Sequence, residues 1–129
     1  MPTDSSDSLN SLTSEIIAAA IEVHRRLGPG LLESAYEACL AYEIRKRGFK
    51  ALCQVGLPVI YDEVELDVGY RIDILVDDQV IIELKAVEKV IPLHEAQLIS
   101  YLKLSGVKVG LLINFNATRL VDGITRRVN

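Results

Sequence analysis

Asp73, Glu83 and Lys85 are two acids and a base set close together in the stretch YRIDILVDDQVIIELK, Tyr70 to Lys85. Two runs of alternating β-formers flank Asp77, Asp78 and Gln79, a pattern that predicts an antiparallel hairpin with a short polar loop. With the turn centred on Asp78, Asp73 stands opposite Glu83, because cross-strand partners share a face. One face then carries Ile72, Ile74, Val76, Val80, Ile82 and Leu84, an apolar surface fit for burial. The other carries Asp73, Leu75, Ile81, Glu83 and Lys85. Two carboxylates and an ammonium would be costly there if buried without partners, on the order of several kcal/mol. A metal ion is one partner that would stabilise the arrangement. A solvated sheet face bearing ordinary surface charge is the rival reading.

The rest of the chain supplies the scaffold around this hairpin. Residues 1–10 are rich in Ser and Asp and poor in apolar side chains, which predicts a mobile tail ahead of a single domain over residues 11–129. Ile16, Ile17, Ala20, Ile21 and Leu27 recur at helical spacing and predict a first helix over residues 12–27, with His24 on its apolar face. Gly28, Pro29 and Gly30 break it. A second helix is expected over residues 32–47, marked by Tyr36, Leu40 and Ile44 on one face. Glu33 lies on that face as well, near the helix N-terminus, where an ordinary dipole-complementing role competes with an inward, functional one. Short strands are expected over residues 51–55, 58–61 and 64–70, leading into the hairpin. Pro92 is placed to open a third helix reaching about residue 104, with Gly106 beyond its end, and Gln97 and Tyr101 fall on one face of it. Residues 107–115 read as a strand covered on both faces, and a last strand is expected over residues 120–128.

Composition narrows the function. A length of 129 residues suits one compact domain, and half the residues are hydrophobic with no Trp, so the core should be aliphatic. No apolar run approaches a membrane span and the polar start lacks the regions of a signal peptide, so a soluble, cytoplasmic protein without a membrane partner is expected. Cys39 and Cys53 are too few and too far apart for a disulfide framework, and with His24 and His94 they have no zinc-site spacing. The net charge of −4 and pI near 5.2 exclude coating of nucleic acid by bulk electrostatics. Local basic spots remain, at Arg25–Arg26, at Arg45, Lys46, Arg47 and Lys50, and at Arg126–Arg127. Solvated faces and helix C-terminal charges account for such runs as readily as phosphate contacts do.

The order of elements, helices, then strands, a helix and further strands, is that of an α/β sandwich whose carboxylate hairpin faces a helix layer. Together with its motifs, the chain resembles the GxxExxY family of the PD-(D/E)XK nuclease superfamily, from about Ile16 onward. The name-giving motif stands as GLLESAY, Gly30 to Tyr36, and the superfamily signature as Asp73 followed by Glu83-Leu84-Lys85. QLISY, Gln97 to Tyr101, matches the QxxxY element of RecB-like members, while Ile72 stands where the signature has Pro. The resemblance implies a three-layer α/β/α fold with a central mixed sheet and an αβββαβ core. It also implies phosphodiester cleavage dependent on Mg²⁺ or Mn²⁺, by a protein acting as a homo-oligomer or as a subunit of a larger complex. Asp73, Glu83, the Leu84 backbone carbonyl and Glu33 would then supply metal-ligand oxygens. Lys85 would serve the attacking water or the phosphate, and Gln97 and Tyr101 would position the nucleic-acid backbone. A binding or assembly module that keeps the nuclease fold without catalysis is the alternative.

Overall fold

The alternating residues on either side of Asp77 and Asp78 form two strands in the computed structural model, which describes residues 5–129. Along the chain the elements are α1 (Ser5–Leu27), α2 (Glu33–Lys46), β1 (Ala51–Gly56), β2 (Val59–Tyr61), β3 (Val64–Leu66), β4 (Arg71–Val76) and β5 (Val80–Lys85). These are followed by α3 (Pro92–Ser105), β6 (Val109–Asn114), a 3-10 turn (Leu120–Gly123) and β7 (Ile124–Val128). Strands β4 and β5 pair antiparallel, with Ile74, Leu75 and Val76 opposite Ile82, Ile81 and Val80, the register centred on Asp78. Asp77 and Asp78 both have left-handed backbone, φ 50° and 56°, and the Gln79 N–H closes the turn on the Val76 carbonyl at 2.9 Å. Aspartate tolerates this region because its short polar side chain bonds nearby backbone. Here the Asp77 carboxylate instead reaches across to β1, accepting the Lys50 N–H at 2.8 Å.

The main sheet runs β1-β4-β5-β6-β7, while β2 and β3 form a separate small hairpin. Neighbours in the main sheet are antiparallel except β5 and β6, whose parallel pairing requires a crossover, supplied by α3. Helices α1 and α2 cover one face, packing Ile16, Leu40 and Ile44 on Ile74, Ile82 and Leu84. Helix α3 covers the other with Leu98, Tyr101 and Leu102 against Ile81 and Leu112. The result is the expected three-layer α/β fold with a central mixed sheet. Ile81, on the charged face of the hairpin, is fully buried, which removes the reading of that face as a solvated one. Gly110 on β6 lets α3 sit close, since a Cβ there would fall 2.7 Å from Leu98 Cδ1.

Several expectations need correction. Helix α1 begins at Ser5, so residues 5–10 are helical and not a tail; residues 1–4 of that expected tail lie outside the described residues. Its buried stripe is Leu12, Ile16, Ala19, Ala20 and Val23; Ile21 is exposed one position off this stripe, and Leu27, though in register with it, is exposed at the last residue of the helix. The strand expected over residues 64–70 stops at Leu66, short of Gly69, whose φ of 86° is incompatible with extended strand. The last strand begins at Ile124, because residues 120–123 wind into a 3-10 turn. Gly123 packs so tightly there that a Cβ would meet the Asn114 carbonyl at 2.6 Å.

Ile72 is buried with Leu57, Ile81 and Tyr101 on the α3 side, not with Ile74 and Val76. Its partner Val55 packs there too, whereas Cys53 packs on the α1/α2 side. The switch falls at Gln54 and Asp73, which drop out of an otherwise continuous β1–β4 register, and Gln54 has a φ of 55°.

Candidate active site

At Asp73 the β4–β5 ladder gives way to side chains. The Asp73 N–H donates to Glu83 Oε1 at 3.3 Å, and the Leu84 N–H donates to Asp73 Oδ2 at 2.8 Å. The two carboxylates thus occupy places that a regular hairpin gives to backbone carbonyls. They are brought together by the register read from the sequence and interlocked by the strand distortion that was not.

Glu83 is 8 % exposed. Burial, and after it the charge of Asp73, pushes its carboxyl up to about 9, against the smaller opposing influences of the Asp73 N–H and of Lys85. Glu83 therefore holds a proton at neutral pH when no cation is near, and that proton is placed to bridge to Asp73. Lys85, half-buried at the end of β5, is near enough for its charge to act on Glu83. Its main chain is fixed from β6: the Phe115 N–H donates to the Lys85 carbonyl at 2.9 Å. The buried Asn114 clamps Val87 from both sides, Oδ1 to its N–H at 3.1 Å and Nδ2 to its carbonyl at 2.9 Å.

On the α3 side, Gln97 Nε2 donates to the Tyr101 hydroxyl at 3.1 Å, the pairing their four-residue spacing predicts. Burial raises the Tyr101 hydroxyl above its ordinary range, helped by the charges of Glu83 and Asp73, and Tyr101 packs with Ile72 and Ile81 of the two strands that carry those carboxylates. On the α2 side the arrangement differs from the expectation. Glu33 is exposed in the first turn of α2 and accepts the Ala86 N–H at 3.3 Å, tying the helix to the exit of β5. Glu37, one turn on, is the α2 residue linked to Asp73: Gln54 Nε2 donates to Glu37 Oε1 at 2.6 Å and to Asp73 Oδ1 at 3.3 Å. Burial first, and the Asp73 charge in addition, raises Glu37 above the ordinary carboxylate range. Glu37, Gln54 and Asn114 were not singled out from the sequence. The four-residue step from Glu33 to Glu37 was the one available signal.

The tyrosine of GLLESAY has a structural task. Its hydroxyl donates to the Gly28 carbonyl at 2.6 Å and accepts the Leu31 N–H at 3.0 Å, while its ring stacks on Phe115 with centroids 4.5 Å apart. Tyr36 thereby latches the loop before α2 and sets where the helix begins. His24 is likewise satisfied, its Nε2–H donating to the Ala117 carbonyl at 2.8 Å. Cys39 and Cys53 are free and half-buried.

The arginines are largely engaged locally. Arg25 and Arg26 pair with Glu22, Arg47 with Glu15, and Arg127 with Glu95, while Arg45 bonds the Ala51 carbonyl. Two clefts of about 500 and 560 Å³ lie beside Asp78 and Gln79 and beside Lys108 and Asn129. Both are at the turn end of the sheet, remote from Glu83 along β5.

Carboxylate and backbone oxygens are what a hard divalent cation prefers. Asp73, Glu83 and the Leu84 carbonyl fit that chemistry, since a cation would offset both the burial and the Asp73 charge that keep Glu83 protonated. Among the described residues no group of three or more His, Cys, Asp or Glu is disposed to hold a metal, so Glu33 does not complete a three-carboxylate set. No helix among those residues is long and apolar enough to cross a membrane.

Comparison with curated proteins and with solved structures gave no match. The family model of the PD-(D/E)XK nuclease superfamily, however, matches residues 10–128, nearly the whole length, and the chain belongs to that superfamily.

Proposed function

We propose that the protein is a hydrolase that cleaves nucleic-acid phosphodiester bonds with the help of Mg²⁺ or Mn²⁺, and that it belongs to the GxxExxY group within its superfamily. The observation that carries this reading is the Asp73–Glu83 pair, interlocked at the mouth of a buried hairpin with Lys85 on the same strand. Asp73, Glu83 and the Leu84 carbonyl would hold the ion. When bound, it would acidify an attacking water and neutralise charge developing on the phosphate. Lys85, its backbone fixed from β6, presents an ammonium to the reacting water or to the phosphate oxygens. Tyr101, oriented by Gln97, offers a hydroxyl to the nucleic-acid backbone in the QxxxY manner. Glu33 serves the site indirectly, by holding Ala86 and hence the exit of β5.

The test is cleavage of single-stranded and duplex DNA and RNA at low salt with Mn²⁺ or Mg²⁺. Thermal stabilisation by the metal is measured in parallel. Lys85→Ala should abolish cleavage and keep the metal-induced stabilisation; Asp73→Ala should lose both. Cleavage surviving both substitutions would refute the assignment. Absence of cleavage on every substrate would favour a binding or assembly module, a reading consistent with the acidic balance and the locally paired arginines. It would also point to activity that requires a homo-oligomer or a larger complex.

A further inference from the structure

Between α3 and the residue that precedes β4 is a cavity of about 290 Å³, lined by Tyr70, Leu93, Gln97, Ser100, Tyr101 and Leu104. Its size is near the lower end for small-molecule sites, and its apolar walls with a few polar groups have the usual make-up of one. Two walls are aromatic: the Tyr70 and Tyr101 rings stand 5.8 Å apart and tilted by 49°. Tyr101 is 5 % exposed and belongs to the core, whereas Tyr70 is 44 % exposed. Tyr70 thus lines the pocket while remaining partly open to solvent. Tyr70 is anchored rather than loose, since its carbonyl accepts the Leu57 N–H at 2.9 Å and the Arg71 guanidinium at 2.9 Å. Arg71 follows directly, an exposed cation that Asp67 approaches only to 3.7 Å.

We infer that this cavity is a nucleobase pocket in which one unstacked base of a single-stranded nucleic acid packs against Tyr70 while its phosphate is presented to the Asp73–Glu83 pair. The inference rests on the nuclease reading and adds the form of the substrate. Three observations select this occupant. Tyr101 lines the pocket and packs with Ile72 and Ile81, and Tyr70 lies three residues before Asp73, so the pocket opens on the strands that carry the carboxylate pair. Its exposed wall is an aromatic side chain, and aromatic rings stack bases whatever the sequence. Bases in a duplex are already stacked and paired, so only an unpaired strand can offer one without a further cost of extrusion. Gln97 and Ser100 at the rim can bond base edges, and Arg71 adds the cation that a strand backbone needs.

The test is binding of labelled DNA and RNA 12-mers at low salt without divalent ions, so that no cleavage intervenes. Tyr70→Leu should weaken single-strand binding about 10-fold, the effect of losing one stacked base, whereas Tyr70→Phe should bind as the parent does. An abasic position in the oligonucleotide should lower parent affinity and leave Tyr70→Leu unaffected. A loss seen with one sugar only would identify the natural strand within the same proposal. Parent-like binding by Tyr70→Leu would overturn the pocket, as would equal Tyr70 dependence for a duplex or no binding of either 12-mer by the parent. These readouts are independent of the nuclease reading, whose failure would appear as absent cleavage with Tyr70-dependent binding intact.

Discussion

Replacing Glu83 by Gln should stabilise the protein, and increasingly so as pH rises. Between its ordinary range and about 9, Glu83 carries a proton in the native state and none in the unfolded chain. Unfolding therefore releases a proton, and the contribution of Glu83 to stability is full at acid pH and lost as pH climbs. The slope is about 1.4 kcal/mol per pH unit, or about 4 kcal/mol between pH 5 and pH 8. Glutamine matches the protonated acid in shape: its carbonyl can accept the Asp73 N–H, and its amide can donate to the Asp73 carboxylate. It cannot ionise, so this part of the pH dependence should vanish. The assay is urea denaturation of parent and Glu83→Gln at intervals from pH 5 to pH 8. The two should be alike at pH 5 and differ by several kcal/mol at pH 8, roughly 10 °C or more in Tm. Mn²⁺ should act in the opposite sense on the parent, stabilising more at pH 8 than at pH 6, because a cation binds the deprotonated pair. Parallel stability profiles for the two proteins would refute the idea that Glu83 is held protonated by burial and by Asp73.

Tyr36→Phe keeps the stack on Phe115 but leaves the Gly28 carbonyl and Leu31 N–H without their shared partner, so a loss of about 1–3 kcal/mol is expected from the urea midpoint; an unchanged midpoint would deny the latch. Gly110→Ala would force a methyl against Leu98 and Leu102, both buried, and should cost about 1–3 kcal/mol in the same assay. A parent-like midpoint there would show that α3 can yield without cost.

The hairpin was legible because its two strands alternate cleanly and lie close in sequence. Periodicity of two and a central turn fix which residues face each other, and Asp73 and Glu83 follow from that alone. Helices α2 and α3 were legible from Tyr36, Leu40 and Ile44 and from Pro92 and Gly106. Glu37, Gln54 and Asn114 were not, because their parts depend on long-range geometry. Gln54 joins α2 to β4 only through a left-handed backbone in mid-strand, where an alternation rule assumes regular extension. The same irregularity sends Ile72 to the other face. Tyr70 and Tyr101 gave no sign of forming a pair, since nothing local relates the residue before β4 to the third turn of α3. The early start of α1 was hidden by its polar composition, which suits an exposed first turn as well as it suits a tail.

The two sides of the sheet are unequally secured. Helices α1 and α2 share the larger buried cluster, and α3 rests on the smaller one. Local opening is easiest where buried apolar contact is sparsest, so the least costly excursion from the native state should be the lifting of α3. Its amide protons should exchange with solvent sooner than those of β5 and β6; equal protection of all three would argue against this. Such breathing would take Tyr101 and Gln97 away from the carboxylates and admit water to Glu83, whose carboxyl could then ionise. The opened form would be favoured by alkali, and α3 exchange should quicken with pH beyond the ordinary catalysis by hydroxide. The side chain that makes the closed protein sensitive to pH would thus also govern how often that side of the molecule comes open.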